Sequence, residues 1–188
     1  MSLRPAISTS TASPTIEGAG VHLHRAFGFH DPKAHDPFLL FDDFRNDSPE
    51  AYSNGFPWHP HRGIETITYV LNGTVDHSDS LGNTGSLKAG DVQWMTAGSG
   101  IMHQEMPSGN AKGQMHGFQL WANLPGSLKM TSPRYQDVGA KEIPEIIDDD
   151  GTQVRVITGS FWGQTGPVDG IAADPLYLDV SVPAGRRK

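Results

Sequence analysis

Glu65-Thr66-Ile67-Thr68-Tyr69-Val70-Leu71-Asn72-Gly73 alternates along its length and stops at a turn dipeptide. Side chains two apart on a strand share a face, so the pattern predicts a strand with one face turned to a core. Asn-Gly is a strong hairpin signal, and Thr74 to Ser80 is expected to return beside the first strand. Leu81-Gly82-Asn83 predicts the next turn. Further outward, short apolar runs recur between glycines and prolines. They include Val21 to Arg25, Pro37 to Phe41, Asp91 to Thr96 after Ala89-Gly90, and Met115 to Asn123 before Leu124-Pro125-Gly126. The chain holds 22 glycines and 14 prolines in 188 residues, a density above that of ordinary globular chains. Short strands with frequent turns predict an all-β sandwich or barrel. No long window shows a 3.6-residue period, so helices are not expected.

The ends read differently. Residues 1–17 open on a Ser/Thr/Ala/Pro-rich stretch without an apolar core, which predicts a flexible N-terminal tail and no secretory signal. Residues 18–126 hold the strand-rich unit, and the polar, irregular residues 127–144 read as a linker. Glu145-Ile146-Ile147 and Thr152 to Gly159 flank an acidic turn as in a hairpin, and Leu176 to Val182 is a final strand candidate. Asp148-Asp149-Asp150 lacks the spaced ligands and closing Glu of a calcium loop and reads as a solvated turn.

Composition removes several classes of function. There is no cysteine, so disulfides and thiolate sites are excluded and a metal must use nitrogen or oxygen ligands. The formal charge is −7, and the one basic cluster is Arg186-Arg187-Lys188, which argues against direct nucleic-acid binding. No apolar run approaches membrane-spanning length. These features predict a soluble, cytoplasmic protein.

Two motifs carry chemistry. In Phe56-Pro57-Trp58-His59-Pro60-His61-Arg62-Gly63, His59 and His61 are two apart and would face one way on a strand. Pro60 between them fits an edge strand, where a missing N–H is tolerated. In Gly98-Ser99-Gly100-Ile101-Met102-His103-Gln104-Glu105, His103 and Glu105 repeat that spacing. If the segments are neighbours, three imidazoles and one carboxylate converge, a set suited to iron, manganese, nickel, copper or zinc. Four protein ligands on an octahedral ion leave open positions, which favours catalysis over a purely structural role. His22 and His24 share the spacing but read as an ordinary strand face. His30, His35 and His77 read as solvated residues of polar turns.

Phe56 to Thr66, Gly90 to Gly98, Gly100 to Met106 and His116 to Pro125 resemble the signature blocks of the pirin family, within the cupin superfamily. Pro37 to Phe44 is similar to its early apolar-acidic block. The resemblance implies a cupin jelly-roll, or double-stranded β-helix, barrel with one mononuclear metal, most often iron. Its ligands fall on His59, His61, His103 and Glu105. Glu65 stands where many other cupins have a ligating glutamate, but the resemblance leaves it outside the metal shell. Gly98 and Gly100 are expected to shape the turn that presents His103. Trp94, Met95, Phe118 and Trp121 are expected in the core or pocket wall. The family also implies quercetin 2,3-dioxygenase activity, an oxidoreductase reaction on a small aromatic flavonol. For such a reaction Glu105 is expected to take the substrate proton, and Trp58 with the apolar residues near it to stack on its rings. The alternative is a metal- or redox-dependent regulatory module that binds a protein partner. Pirins usually carry two cupin domains. Residues 18–126 correspond to the metal-binding first, and 145–188 are expected to begin an incomplete second. Strand edges left open there predict association, possible as a homo-oligomer.

Overall fold

Ile64–Asn72 forms a nine-residue strand, β5, near the middle of the largest of four antiparallel sheets. The computed structural model describes residues 8–187. Before β5 come β1 (Ser13–Glu17), β2 (Val21–Phe27), β3 (Phe38–Asp43) and β4 (Phe56–His61). After it come β6 (Thr74–Asp79), β7 (Thr84–Lys88), β8 (Val92–Thr96), β9 (Ile101–Ser108), β10 (His116–Asn123) and β11 (Arg134–Val138). The large sheet runs β1-β2-β3-β10-β5-β8-β11, and the smaller runs β4-β9-β6-β7. Helical structure among the described residues is confined to single 3₁₀ turns at Pro49–Ala51 and Gly126–Leu128. This is the all-β, cupin-type fold that the strand pattern and the resemblance lead one to expect.

The period of two decides what each face of the large sheet does. Val21, Leu23, Val70 and Phe44 pack with Val75 and Leu87 of the smaller sheet, so these positions face the interior between the sheets. Ile67, Tyr69, Val92, Trp94 and Leu120 occupy the opposite face and form a second core with Val138, Ile143, Ile157 and Val168. The cover over that second face comes from the C-terminal part. There β12 (Glu145–Ile147), β13 (Gln153–Thr158) and β16 (Tyr177–Ser181) make a three-stranded sheet, and β14 (Ser160–Phe161) pairs with β15 (Gln164–Thr165). With both faces buried, β5 loses a simple polar side, and Thr66 and Thr68 are buried with their apolar neighbours.

Three sequence expectations are corrected. Asn72-Gly73 does not join a hairpin: β5 pairs with β10 and β8, while β6 pairs with β9 and β7. The turn, with Gly73 at φ 81° and its N–H donating to Asn72 Oδ1, carries the chain from one sheet to the other. Long-range partners on both edges of β5 override the local hairpin preference. Residues 13–17 are not tail but strand β1, held against β2 from Ser13↔Arg25 to Glu17↔Val21. Residues 1–7 of the expected tail lie outside the described residues. Within the expected linker 127–144, Arg134–Val138 extends the large sheet beyond β8, with Gln136 opposite Trp94. The alternation is weak there because β11 is an edge strand whose exposed positions tolerate polar residues.

Candidate metal centre

The two histidine motifs meet because β4 and β9 are neighbours in the smaller sheet, with His59 directly opposite His103 and His61 opposite Ile101. β4 is the edge strand, so the absent N–H of Pro60 costs no ladder bond on the open side. The turn into β9 needs its glycines. Gly98 sits at φ 51° and Gly100 at φ 134°, and a Cβ on Gly98 would run into the Thr131 carbonyl. Gly98→Ala is therefore expected to cost about 1–3 kcal/mol, read as a lower urea midpoint. A midpoint equal to wild type would show that the turn relaxes without strain.

His59, His61 and His103 place ligand nitrogens within 4.8 Å of one another, with His59 half-buried and the other two buried. His59 Nδ1 contacts the Pro57 carbonyl at 2.9 Å. A proton held there leaves Nε2 as the lone-pair nitrogen, the usual way a neighbouring carbonyl orients a ligand imidazole. That Nε2 stands 3.0 Å from His61 Nε2. Two nitrogens each about 2.1 Å from one ion at a right angle are separated by about 3 Å. His103 is 1% exposed, yet neither of its nitrogens meets a hydrogen-bond partner among the described residues. Unpaired buried polar atoms of this kind are costly and point to an absent partner. Burial, then the neighbouring imidazoles, pushes His61 down to about 3. Burial, followed by His59, does the same for His103. Both rings are neutral at physiological pH, the form in which imidazole binds a cation. The donor set fits a transition-metal ion.

Glu105 follows His103 by two residues on β9 and is also buried. The close group of ligand atoms comprises the three imidazoles without it. Its Oε1 accepts a hydrogen bond from Thr68 on β5 at 3.0 Å. Glu65 belongs to the other face of β5, with Ile67 and Tyr69, where it accepts from Thr96 Oγ1 at 2.7 Å. Strand parity thus removes it from the histidines altogether. His22 and His24 are exposed, as expected of a plain strand face.

His77 is corrected. It is buried on β6, contacts Gln93 at 2.9 Å and stacks on Tyr135. The inner strand position of β6, between β9 and β7, turns Val75, His77 and Asp79 inward. His30 is exposed as expected; His35 is exposed but its ring stacks on Phe27 at 4.1 Å.

A cavity of about 540 Å³ opens beside the histidines, lined by His59, His61 and Glu105 and walled by Val21, Leu23, Leu40 and Phe44. Trp58 does not line it. A register shift between Phe56 and His59 interrupts the ladder at that point, and Trp58 is 50% exposed. Trp121 takes the place at the wall, edge-on to His61 with ring centres 4.9 Å apart. β10 puts it there by pairing Trp121 with Thr66 on the inner face, in keeping with the pocket-wall place expected for it.

The pirin family profile matches residues 20–122, more than half of the chain. The chain belongs to the pirin family. It is 47% identical over 186 residues to a pirin-like protein of Caulobacter vibrioides, covering 98% of this chain and 67% of that protein. It is 45% identical over 188 residues to a Pseudomonas aeruginosa protein named as a candidate quercetin 2,3-dioxygenase, covering 98% and 66%. Among solved structures, a quercetin 2,3-dioxygenase from Acinetobacter baumannii superposes with a TM-score of 0.75 at 37% identity, over 85% of this chain and 58% of that one. This pirin chain therefore spans about two thirds, or less, of the length of these relatives. No helix among its described residues is long and apolar enough to cross a membrane.

Proposed function

We propose that the chain is a metal-dependent flavonol 2,3-dioxygenase, with one divalent transition metal, iron, held by His59, His61, His103 and Glu105. The observation that carries this reading is the convergence of three imidazoles, one with both nitrogens unpaired, beside an otherwise largely apolar cavity. The names borne by the Pseudomonas and Acinetobacter relatives support the flavonol as substrate class. When bound, the ion supplies Lewis-acid polarisation and holds the reactants together. Glu105 takes the proton of the flavonol 3-hydroxyl. Thr68, bonded to Oε1, steadies the carboxylate for that transfer. Trp121 fixes the His61 ring and offers an aromatic wall to the substrate, while Val21, Leu23 and Leu40 exclude water. Anaerobic mixing of iron-loaded protein with quercetin is expected to shift the flavonol absorption band. Admitting oxygen should then open the heterocycle with release of carbon monoxide. Fully metallated protein that does neither would end the proposal.

In the same reading, the two sheets built from β1 to β11 are the metal-binding unit and 145–188 begin a second cupin-like domain, in a cytoplasmic protein. A second reading, a metal-dependent docking module for a protein partner, draws on Trp58 and Met102, exposed on the strands that carry the histidines. Partner binding that requires His103 without turnover would favour it, and binding unchanged by His103→Ala would count against it.

A further inference from the structure

One row of the large sheet's inner face is polar along its whole passage through the cavity. Arg25 on β2 lies opposite Asp42 on β3, Asp42 opposite Gln119 on β10, and Gln119 opposite Thr68 on β5. All four side chains line the cavity. At one end, Thr68 bonds Gln119 at 2.7 Å and Glu105 at 3.0 Å. At the other, Arg25 forks onto Asp42 through Nε and Nη2, both at 2.8 Å, and reaches Glu17 through Nη1 at 2.9 Å. The Asp42 side chain is 5% exposed.

Stability does not account for this ion pair. Apolar residues of equal volume are often as stabilising as a buried salt bridge, and the surrounding wall is already built from Val21, Leu23 and Leu40. Its hydrogen-bonding capacity is more informative. A carboxylate offers about four lone-pair sites, and Arg25 takes two of those on Asp42. Two carboxylates against one guanidinium leave the cluster one charge negative. It therefore repels anions and accepts hydrogen bonds from neutral donors. Asp42 and Thr68 are two inter-strand steps apart, about 10 Å, a span suited to a flat ligand of linked aromatic rings.

We propose that Arg25, Asp42 and Glu17 form a specificity element in which the two carboxylates, held by Arg25, accept hydrogen bonds from the hydroxyls on the pendant ring of a polyphenol. The inference rests on the flavonol reading of the same cavity and names the substrates that it prefers: those hydroxylated on the pendant ring. It is tested by anaerobic quenching of tryptophan fluorescence in the iron-loaded full chain. The probes are quercetin and galangin, the same flavonol without the two pendant-ring hydroxyls. Wild type is expected to bind quercetin at least about tenfold more tightly. In the double variant Arg25→Met/Asp42→Leu the two affinities should agree within about twofold, with galangin binding retained. Glu17→Ala, at a half-exposed edge-strand position, should reduce the preference about threefold. Equal binding in wild type, a preference kept in the double variant, or no binding of either probe would overturn the proposal. Should the double variant not fold, an unchanged ratio in Glu17→Ala overturns it and a reduced one supports it. Turnover of both flavonols under oxygen reads the reaction separately. Absence of turnover of either one beside a preserved binding preference would remove the dioxygenase reading and leave the specificity element standing.

Discussion

Replacing His103 by Leu is expected to leave the metal-free protein at least as stable as wild type while abolishing its stabilisation by iron(II). The two halves have one cause. His103 is almost completely buried with neither nitrogen paired among the described residues. A buried polar group without a partner costs about 1–3 kcal/mol, and a Leu of similar bulk removes that cost. In wild type a bound ion offsets it and adds stability by mass action, about 4 kcal/mol at a thousand times Kd. Chelator-treated wild type should therefore show a rise in Tm on anaerobic addition of iron(II), and the variant none. Turnover of quercetin should fall by more than the roughly 10–100-fold typical of residues that only support a ligand. A metal-free variant several degrees less stable, with its iron response intact, would show that the ring serves packing alone.

The second large effect lies on the opposite face of the sheet. Trp94 is 0% exposed and packs with Ile67, Leu120, Ile157 and Val168, joining the large sheet to its C-terminal cover. Trp94→Ala should cost about 3–5 kcal/mol, seen as a lower urea midpoint with an unchanged slope. Trp94→Phe should cost under about 1.5 kcal/mol. It retains much of the ring volume and removes an indole N–H that has no partner among the described residues. Equal losses in the two variants would mean that volume is not what the site requires.

The site was more legible in the sequence than the topology that assembles it. His59, His61 and His103, which the structure brings together, announce themselves because a period of two within each strand is local information. Nothing local states that β4 and β9 are neighbours, and the Asn72-Gly73 signal pointed to a pairing that β5 does not make. Trp58 looked like the stacking residue because it adjoins His59 in sequence. One irregularity in the ladder turns it outward and leaves the wall to Trp121, from a strand more than fifty residues later. His77 sits in a polar run, yet an interior strand position buries it. The Arg25–Asp42 pair was invisible for the same reason: its register across β2 and β3 exists only in the folded sheet.

Metal content of the purified native protein tests the central claim most directly. Elemental analysis is expected to find near one equivalent of transition metal, iron foremost, per chain, and to find it lost in both His61→Ala and Glu105→Ala. Wild type and both variants carrying the same metal content would contradict the assignment.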